Sequence, residues 1–189
     1  MMHLKATCGA LLALACASPI SAQGQADPLA AALATTAGTW SGQLQYRDYQ
    51  TNKWEGLPVK VRIAVQGDGV TLVRSAAFDD GPQTGIVWIT TITQFNPARG
   101  SETYAMFRKG RELDTGTRTV ALAQPPRDSA HWTIVTMETR KDGDSLAQVR
   151  ETTTRDPASM VTLKEVNPLD DGKDEWLPRN RTVLKRSGR

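Results

Sequence analysis

The sequence predicts an all-β domain, an antiparallel up-and-down β-barrel of about ten strands that follows a short N-terminal helix. From Gly38 onwards, apolar and polar residues alternate with a period of two, which is typical of half-buried strands. These segments are short, and pairs that form tight turns, such as Asp142-Gly143, separate them. Because closing a meander removes its exposed edge strands, we expect a barrel.

The helix is expected over residues 27–36, where the chain is rich in alanine. Asp27 suits the N-cap position, Pro28 suits the first helical position, and Gly38 follows the segment. The clearest strand alternates Val59, Val61 and Ile63 with polar residues. A first strand is expected from Trp40 to Tyr46, and further strands over 70–78, 84–95, 102–108, 112–122, 131–141, 145–155, 159–166 and 180–186.

Residues 1–22 predict a secretory signal peptide, which leaves 23–189 as a single domain. Lys5 precedes an apolar stretch too short to span a bilayer, and Ser21-Ala22 offers a small-residue cleavage site. We therefore expect a periplasmic or secreted protein. Cys16 and the four residues before it also resemble a bacterial lipobox, so the alternative is a protein anchored in the cell envelope by a lipid on Cys16.

Composition excludes several classes of site. Both cysteines lie in the leader, so the mature chain has no disulfide and no thiolate ligand. Without Lys5, the chain keeps 22 of its 23 basic residues against 20 acidic ones, a balance that gives no electrostatic case for nucleic acid or anionic membrane. His131 is the single histidine beyond the leader, and no triad or nucleophile elbow surrounds it. We assign no catalytic residue, no metal site and no cofactor.

Gly38-Thr39-Trp40-Ser41-Gly42 at the start of the meander resembles the first strand of the calycin superfamily, and of nitrobindins and fatty-acid-binding proteins in particular. The resemblance implies a barrel that holds a small ligand, with Gly38 and Trp40 as structural residues. It also implies that an arginine on the last strand, Arg186 or Arg181, packs against Trp40. Nitrobindins bind haem through a histidine near the chain end, and here no histidine follows His131.

Turn chemistry predicts which side chains face the interior. A two-residue turn at Asp68-Gly69 places Ile63 opposite Arg74, so that Arg74 and Phe78 point inward. A bulged three-residue turn would instead send Arg74 outward. Similar reasoning from a turn at Asp142-Gly143 and a three-residue loop at 156–158 predicts one inner face and one outer face. The expected inner residues are Trp132, Ile134, Thr136, Glu138, Ala147, Val149, Glu151, Val161, Leu163 and Glu165, and the expected outer ones are Arg140, Gln148, Arg150, Thr152 and Lys164.

Charges inside a barrel favour a hydrated cavity with a polar anchor, because a dry core excludes unpaired charge. We predict that the protein binds a small, partly apolar ligand whose anionic group contacts Arg74, while Phe78, Trp88 and Trp132 contact its apolar body. Glu138, Glu151 and Glu165 are the expected partners. The charges would reach bulk water instead if they lie at the barrel rim.

Two other functions stay open. The first is an envelope interaction or inhibitor module that acts through loops around Trp54 and Trp176. The second is a cofactor-free isomerase or cyclase, which needs one inner glutamate that is desolvated and unpaired.

Overall fold

The computed structural model describes residues 27–188, which form a closed barrel of ten antiparallel strands with a short N-terminal helix. The predicted fold class is confirmed. The expected signal peptide and Cys16 lie outside the described residues. The helices are α1 (Pro28–Ala34) and α2 (Gly81–Thr84), with a 3₁₀ turn at Pro97–Arg99, and the strands are β1 (Gly38–Arg47), β2 (Trp54–Val65), β3 (Thr71–Asp79), β4 (Ile86–Asn96), β5 (Ser101–Arg108), β6 (Asp114–Leu122), β7 (Trp132–Asp142), β8 (Ser145–Asp156), β9 (Ser159–Pro168) and β10 (Leu177–Arg186).

Each strand pairs with its neighbour in sequence, and β1 pairs with β10 to close the barrel. This is the up-and-down order expected from tight turns. No helix among residues 27–188 has the length and apolar character that a membrane crossing requires.

Helix α1 covers one end of the barrel, which we call the closed end. The Asp27 side chain accepts hydrogen bonds from the amides of Leu29 and Ala30 at 2.8 and 3.0 Å, which is the N-cap predicted from sequence. Leu29 and Ala32 then pack against a buried cluster that includes Trp132. These two residues are three apart and share one face of the helix, and this face covers the barrel interior.

Trp40 lies fully buried at the closed end. Its indole nitrogen donates to the carbonyl of Thr36 at 2.9 Å, and the guanidinium groups of Arg155 and Arg186 lie 4.7 and 4.9 Å from its ring. Arg186 also donates to the carbonyl of Ala37. Gly38 has φ +135°, and a Cβ there would lie 3.1 Å from the Arg186 guanidinium.

Arg186 thus occupies the position that the resemblance implied for an arginine on the last strand. Arg181 stacks on Trp54 instead, with the guanidinium 4.4 Å from the ring centre.

The predicted register between β2 and β3 is confirmed. Val65 lies opposite Leu72 and Ile63 lies opposite Arg74. Between β7 and β8 the register differs from the expected one by two residues, because Asp142 pairs with Ser145 and the turn residues are Gly143 and Asp144. A shift of two does not change which face of the strand a side chain occupies.

The predicted register between β8 and β9 is wrong by one residue. Asp156 pairs with Ser159, so the turn contains only Pro157 and Ala158, and Glu151 lies opposite Lys164. A shift of one reverses the faces of a whole strand. Glu165, Val161 and Leu163 therefore point outward, and Lys164 points inward.

Arg140 was also placed on the wrong face. It lies two residues after Glu138 on β7, and residues two apart on a strand share a face. Both side chains line the interior.

Candidate functional site

The barrel encloses a cavity of about 610 Å³, within the range of small-molecule sites. Leu33 and Thr36, at and just beyond the end of α1, line its closed end. At the other end the lining includes Lys141 and Gly143, which are exposed residues at the turn between β7 and β8. The cavity therefore opens to solvent at this end, which we call the mouth.

The cavity has an apolar wall and a polar wall. Apart from Arg74 on β3, every charged residue that lines the cavity lies on strands β5 to β9, whereas strands β1 to β4 contribute large apolar side chains to the opposite side of the barrel. The apolar wall contains Leu44, Ile63, Leu72, Phe78, Ile89 and Met106, and the polar wall contains Glu102, Arg118, Glu138, Arg140, Glu151 and Lys164.

Arg118 is the centre of an internal ion-pair cluster. Its Nε lies 2.5 Å from Oε1 of Glu102, and its Nη1 lies 2.8 Å from Oε2 of Glu151. The side chain of Glu102 is 5% exposed. Burial by itself lowers the pKa of Arg118, but the charges of Glu151 and Glu102 outweigh it and raise that pKa above its usual value. The cluster cross-links β5, β6 and β8.

A second cluster lies near the mouth, around Arg140. Its Nη2 donates to both carboxylate oxygens of Asp114 at 3.1 and 2.9 Å, and its Nη1 donates to the hydroxyl of Tyr104 at 2.6 Å. That hydroxyl donates in turn to Glu138 at 3.1 Å. Burial, and then the charge of Glu138, raise the pKa of Tyr104 to about 12. Gly116 leaves room for this ring, because a Cβ there would lie 2.7 Å from the Tyr104 hydroxyl.

Arg74 lines the cavity from β3, on the apolar wall. It is half-buried and makes no ion pair or side-chain hydrogen bond with any residue in the described part of the chain. Burial lowers the pKa of Arg74, and the charge of Glu151 offsets part of that effect. Lys164 on β9 is also half-buried and also has no such partner. Both cations are available to a ligand.

Five of the seven predicted ligand contacts line the cavity, namely Arg74, Phe78, Trp132, Glu138 and Glu151. Trp88 does not. It lies opposite Ala77 on β3, one residue out of step with the inward Ala76, and its side chain is 61% exposed on the outer surface. The alternation of residues along β4 does not show which of its faces points inward, because both faces carry apolar residues.

Glu165 is the second incorrect assignment. It lies on the outer surface of β9 and pairs with Arg150 at 3.0 Å. The error follows from the turn between β8 and β9, which is one residue shorter than expected.

The sequence reasoning missed Glu102, Arg118, Arg140 and Lys164. One signal for Arg118 was present in the pattern. Threonines stand at 115, 117 and 119, and if these polar residues face outward, alternation places Arg118 on the inner face. Glu102 had no comparable signal, because only the pairing of β5 with β6 brings it to Arg118.

The features that would favour the two alternative functions are weak. Trp54 and Trp176 are half-buried, and arginines cover their rings, Arg181 at 4.4 Å and Arg150 at 4.0 Å. The inner glutamates of the described chain, Glu102, Glu138 and Glu151, are each hydrogen-bonded to an arginine or a tyrosine.

His131 lies at a short turn, and its side chain contacts Asp128 of the same turn. Its Nδ1 lies 2.6 Å from Oδ2 of Asp128, three residues earlier in the chain. Among residues 27–188, no group of three histidine, cysteine or acidic side chains is placed to hold a metal ion.

Comparisons with known proteins support the fold alone. No protein-family model matches the chain, and no curated protein matches it. Among solved structures, the chain is similar to Rv2717c from M. tuberculosis, with a TM-score of 0.57 and 12% sequence identity over 85% of this chain and 98% of that one. At this identity the likeness shows a shared barrel architecture.

Proposed function

We propose that this protein is an exported, calycin-like binding protein that holds a small, partly apolar ligand with an anionic group in its barrel cavity. One observation carries the proposal: Arg74 and Lys164 line the cavity without an ion pair, although the other arginines that line it, Arg118 and Arg140, each contact two carboxylates. A desolvated cation costs free energy unless it is paired or wet. A ligand carboxylate or sulfonate supplies the missing partner.

The charge balance of the cavity favours direct contact over long-range attraction. The Arg118 cluster and the Arg140 cluster each combine one cation with two carboxylates, and Arg74 and Lys164 offset the excess negative charge. The charges that line the cavity therefore sum to zero, since Lys141 and Asp142 at the mouth also cancel each other. Charge-assisted hydrogen bonds to Arg74 are the expected source of selectivity.

The apolar part of the ligand has a matching surface. Phe78, Ile89 and Met106 line the cavity from adjacent strands β3, β4 and β5. Burying an apolar group there contributes about 25 cal/mol for each Å² removed from water. We therefore expect a ligand with an apolar body and an anionic group, because the apolar wall lies next to the unpaired guanidinium of Arg74.

Location is part of the proposal. Residues 1–22 act as a signal peptide, which places the protein in the periplasm or outside the cell. With the alternative processing at Cys16, a lipid anchor holds it in the envelope. Denaturing mass spectrometry of the native protein distinguishes a chain that starts at Gln23 from one that starts at a lipidated Cys16.

Two fluorescent probes test the anionic site. The first is 1-anilinonaphthalene-8-sulfonate, and the second is N-phenyl-1-naphthylamine, which has the same aromatic body without the sulfonate. A hydrogen bond to a charged group contributes about 1.5–3 kcal/mol. We therefore expect Arg74→Met to weaken binding of the sulfonate probe by roughly 10- to 150-fold and to change binding of the neutral probe by less than about twofold.

The matched control is Arg62→Met, because Arg62 is an exposed arginine on the outer face of the adjacent strand β2. This variant should bind both probes as the unmodified protein does. The proposal fails if the unmodified protein binds neither probe, or if Arg74→Met weakens both probes equally. Native mass spectrometry of protein from its own envelope then gives the mass of the natural ligand.

A further inference from the structure

The outer surface of β3 to β7 carries no charge between its two rims. We call this surface the uncharged wall. Its members are the outward residues Val73, Ser75, Ala77, Trp88, Thr90, Ile92, Gln94, Thr103, Ala105, Phe107, Thr115, Thr117, Thr119, Thr133, Val135, Met137 and Thr139.

Several large apolar side chains of the wall face solvent. Trp88 is 61% exposed, Phe107 is 47% exposed and Ile92 is 40% exposed. The register places Phe107 opposite Thr90, two residues from Trp88 on the same face of β4, so these side chains form a continuous patch. Continuous exposed apolar patches of this kind mark interaction surfaces.

The rest of the barrel exterior carries charged side chains. Lys60 and Arg62 project from β2, and Arg150 and Glu165 form an ion pair on β8 and β9. The loss of charge is therefore confined to one side of the barrel. If the whole exterior were equally polar, charged side chains like those of β2 would also project from β3 to β7.

Charges return at the mouth-side edge of the wall, with opposite signs on its two sides. The turn between β3 and β4 contributes the exposed acids Asp79 and Asp80. The turn between β5 and β6 contributes exposed Arg108, Lys109 and Arg111, against one acid, Glu112. Strand β4, with Trp88, lies between the acidic turn and the basic turn.

We infer that the part of the uncharged wall on β3 to β5 is the interface between two copies of this chain, related by a two-fold axis that runs along β4. This axis brings Trp88 of both copies to the centre. It also places the acidic turn of each copy against the basic turn of the other, so the surface is complementary to itself, as an interface between identical copies requires. Depletion of charge from the centre, with aromatic residues there, is typical of such interfaces.

The charges distinguish a second copy from a lipid surface. An anionic bilayer attracts Arg108, Lys109 and Arg111 but repels Asp79 and Asp80, which lie at the same edge of the wall. A second copy pairs both sets of charges at once. The inference does not depend on the proposed ligand.

The first experiment measures mass in solution. Sedimentation velocity and light scattering on the purified mature protein should give twice the mass of one chain. Trp88→Glu places a charge on the axis of the proposed interface and should raise the dissociation constant at least tenfold. Leu169→Glu is the matched control, because Leu169 is an apolar residue that is 50% exposed in the loop after β9, and it should leave the dimer intact.

The second experiment tests the axis. Lys109→Glu places acid against acid, and Asp80→Lys places base against base, so each variant alone should dimerise more weakly. Mixing the two variants restores opposite charges at both contacts, and the mixed dimer should form as tightly as the unmodified one. Circular dichroism confirms that each variant keeps its strand structure.

Several results would overturn the inference. One is an unmodified protein that remains monomeric at every concentration tested, including a monomer that sediments with anionic vesicles. Another is a dimer that Trp88→Glu leaves intact. A dimer that Trp88→Glu dissociates, but whose stability the two charge variants do not change, would contradict the proposed axis.

Discussion

Removing Arg118 should destabilise the barrel strongly, and the structure gives the size of the effect. Arg118→Met leaves two carboxylates without their cation. Glu102 is 5% exposed, so its stranded charge has almost no access to water, while Glu151 is 31% exposed and is partly screened. Breaking a buried ion pair by removing one partner costs about 3–5 kcal/mol. We expect a loss of about 3–4 kcal/mol in the free energy of unfolding, most of it from Glu102.

Equilibrium unfolding in urea at neutral pH measures this loss, and a double-mutant cycle assigns it. Glu102→Gln in the Arg118→Met background removes the stranded charge, so about 2 kcal/mol of stability should return. Arg127→Met is the control, because Arg127 forms an ion pair with Asp128 at 3.8 Å in which the two side chains are 71% and 49% exposed. That change should cost about 1 kcal/mol or less.

Two results would refute this reasoning. If Arg118→Met costs no more than Arg127→Met, water screens the interior cluster as well as it screens an exposed pair. If Glu102→Gln restores nothing, the loss comes from the missing arginine side chain and not from the charge it leaves behind.

Two further predictions concern the barrel wall. Gly42→Ala should destabilise the protein by at least about 2 kcal/mol, because an added Cβ would overlap the carbonyl of Val183 on β10. Gly67→Ala is the control, because its added Cβ meets no atom within 4 Å, and it should change the free energy of unfolding by less than about 0.5 kcal/mol. Equal melting temperatures for the two variants would contradict this prediction. Tyr104 has a pKa raised from 10.0 to about 12, so its contribution to stability is complete below pH 10 and is lost as the pH rises towards 12, since the unfolded tyrosine ionises first. Ultraviolet absorbance should show a late tyrosinate step that Tyr104→Phe removes, and a step that survives this change would be inconsistent with the assignment.

Much of the fold could be predicted from local sequence. The N-cap at Asp27, the strand meander and the pairing of Ile63 with Arg74 depend on turn chemistry and on a period of two, and both are visible in the chain. The site was only partly predictable. Arg74 was placed correctly because one tight turn defines its register, and Glu165 was not, because the turn before it is one residue shorter than expected.

The sequence by itself determined the alternation of apolar and polar residues, the helix cap, and a closing contact of Trp40 with an arginine of the last strand, Arg186 or Arg181, of which the structure shows Arg186. These follow from short-range patterns or, for the arginine, from a resemblance that names the last strand. Only the tertiary structure decided which charges share the interior. Arg118 meets Glu102 and Glu151 because barrel closure brings β5, β6 and β8 around a common space, and the same closure leaves Arg74 and Lys164 without partners. Such contacts depend on the exact register of every strand, since a slip of one residue moves a side chain from the cavity to solvent.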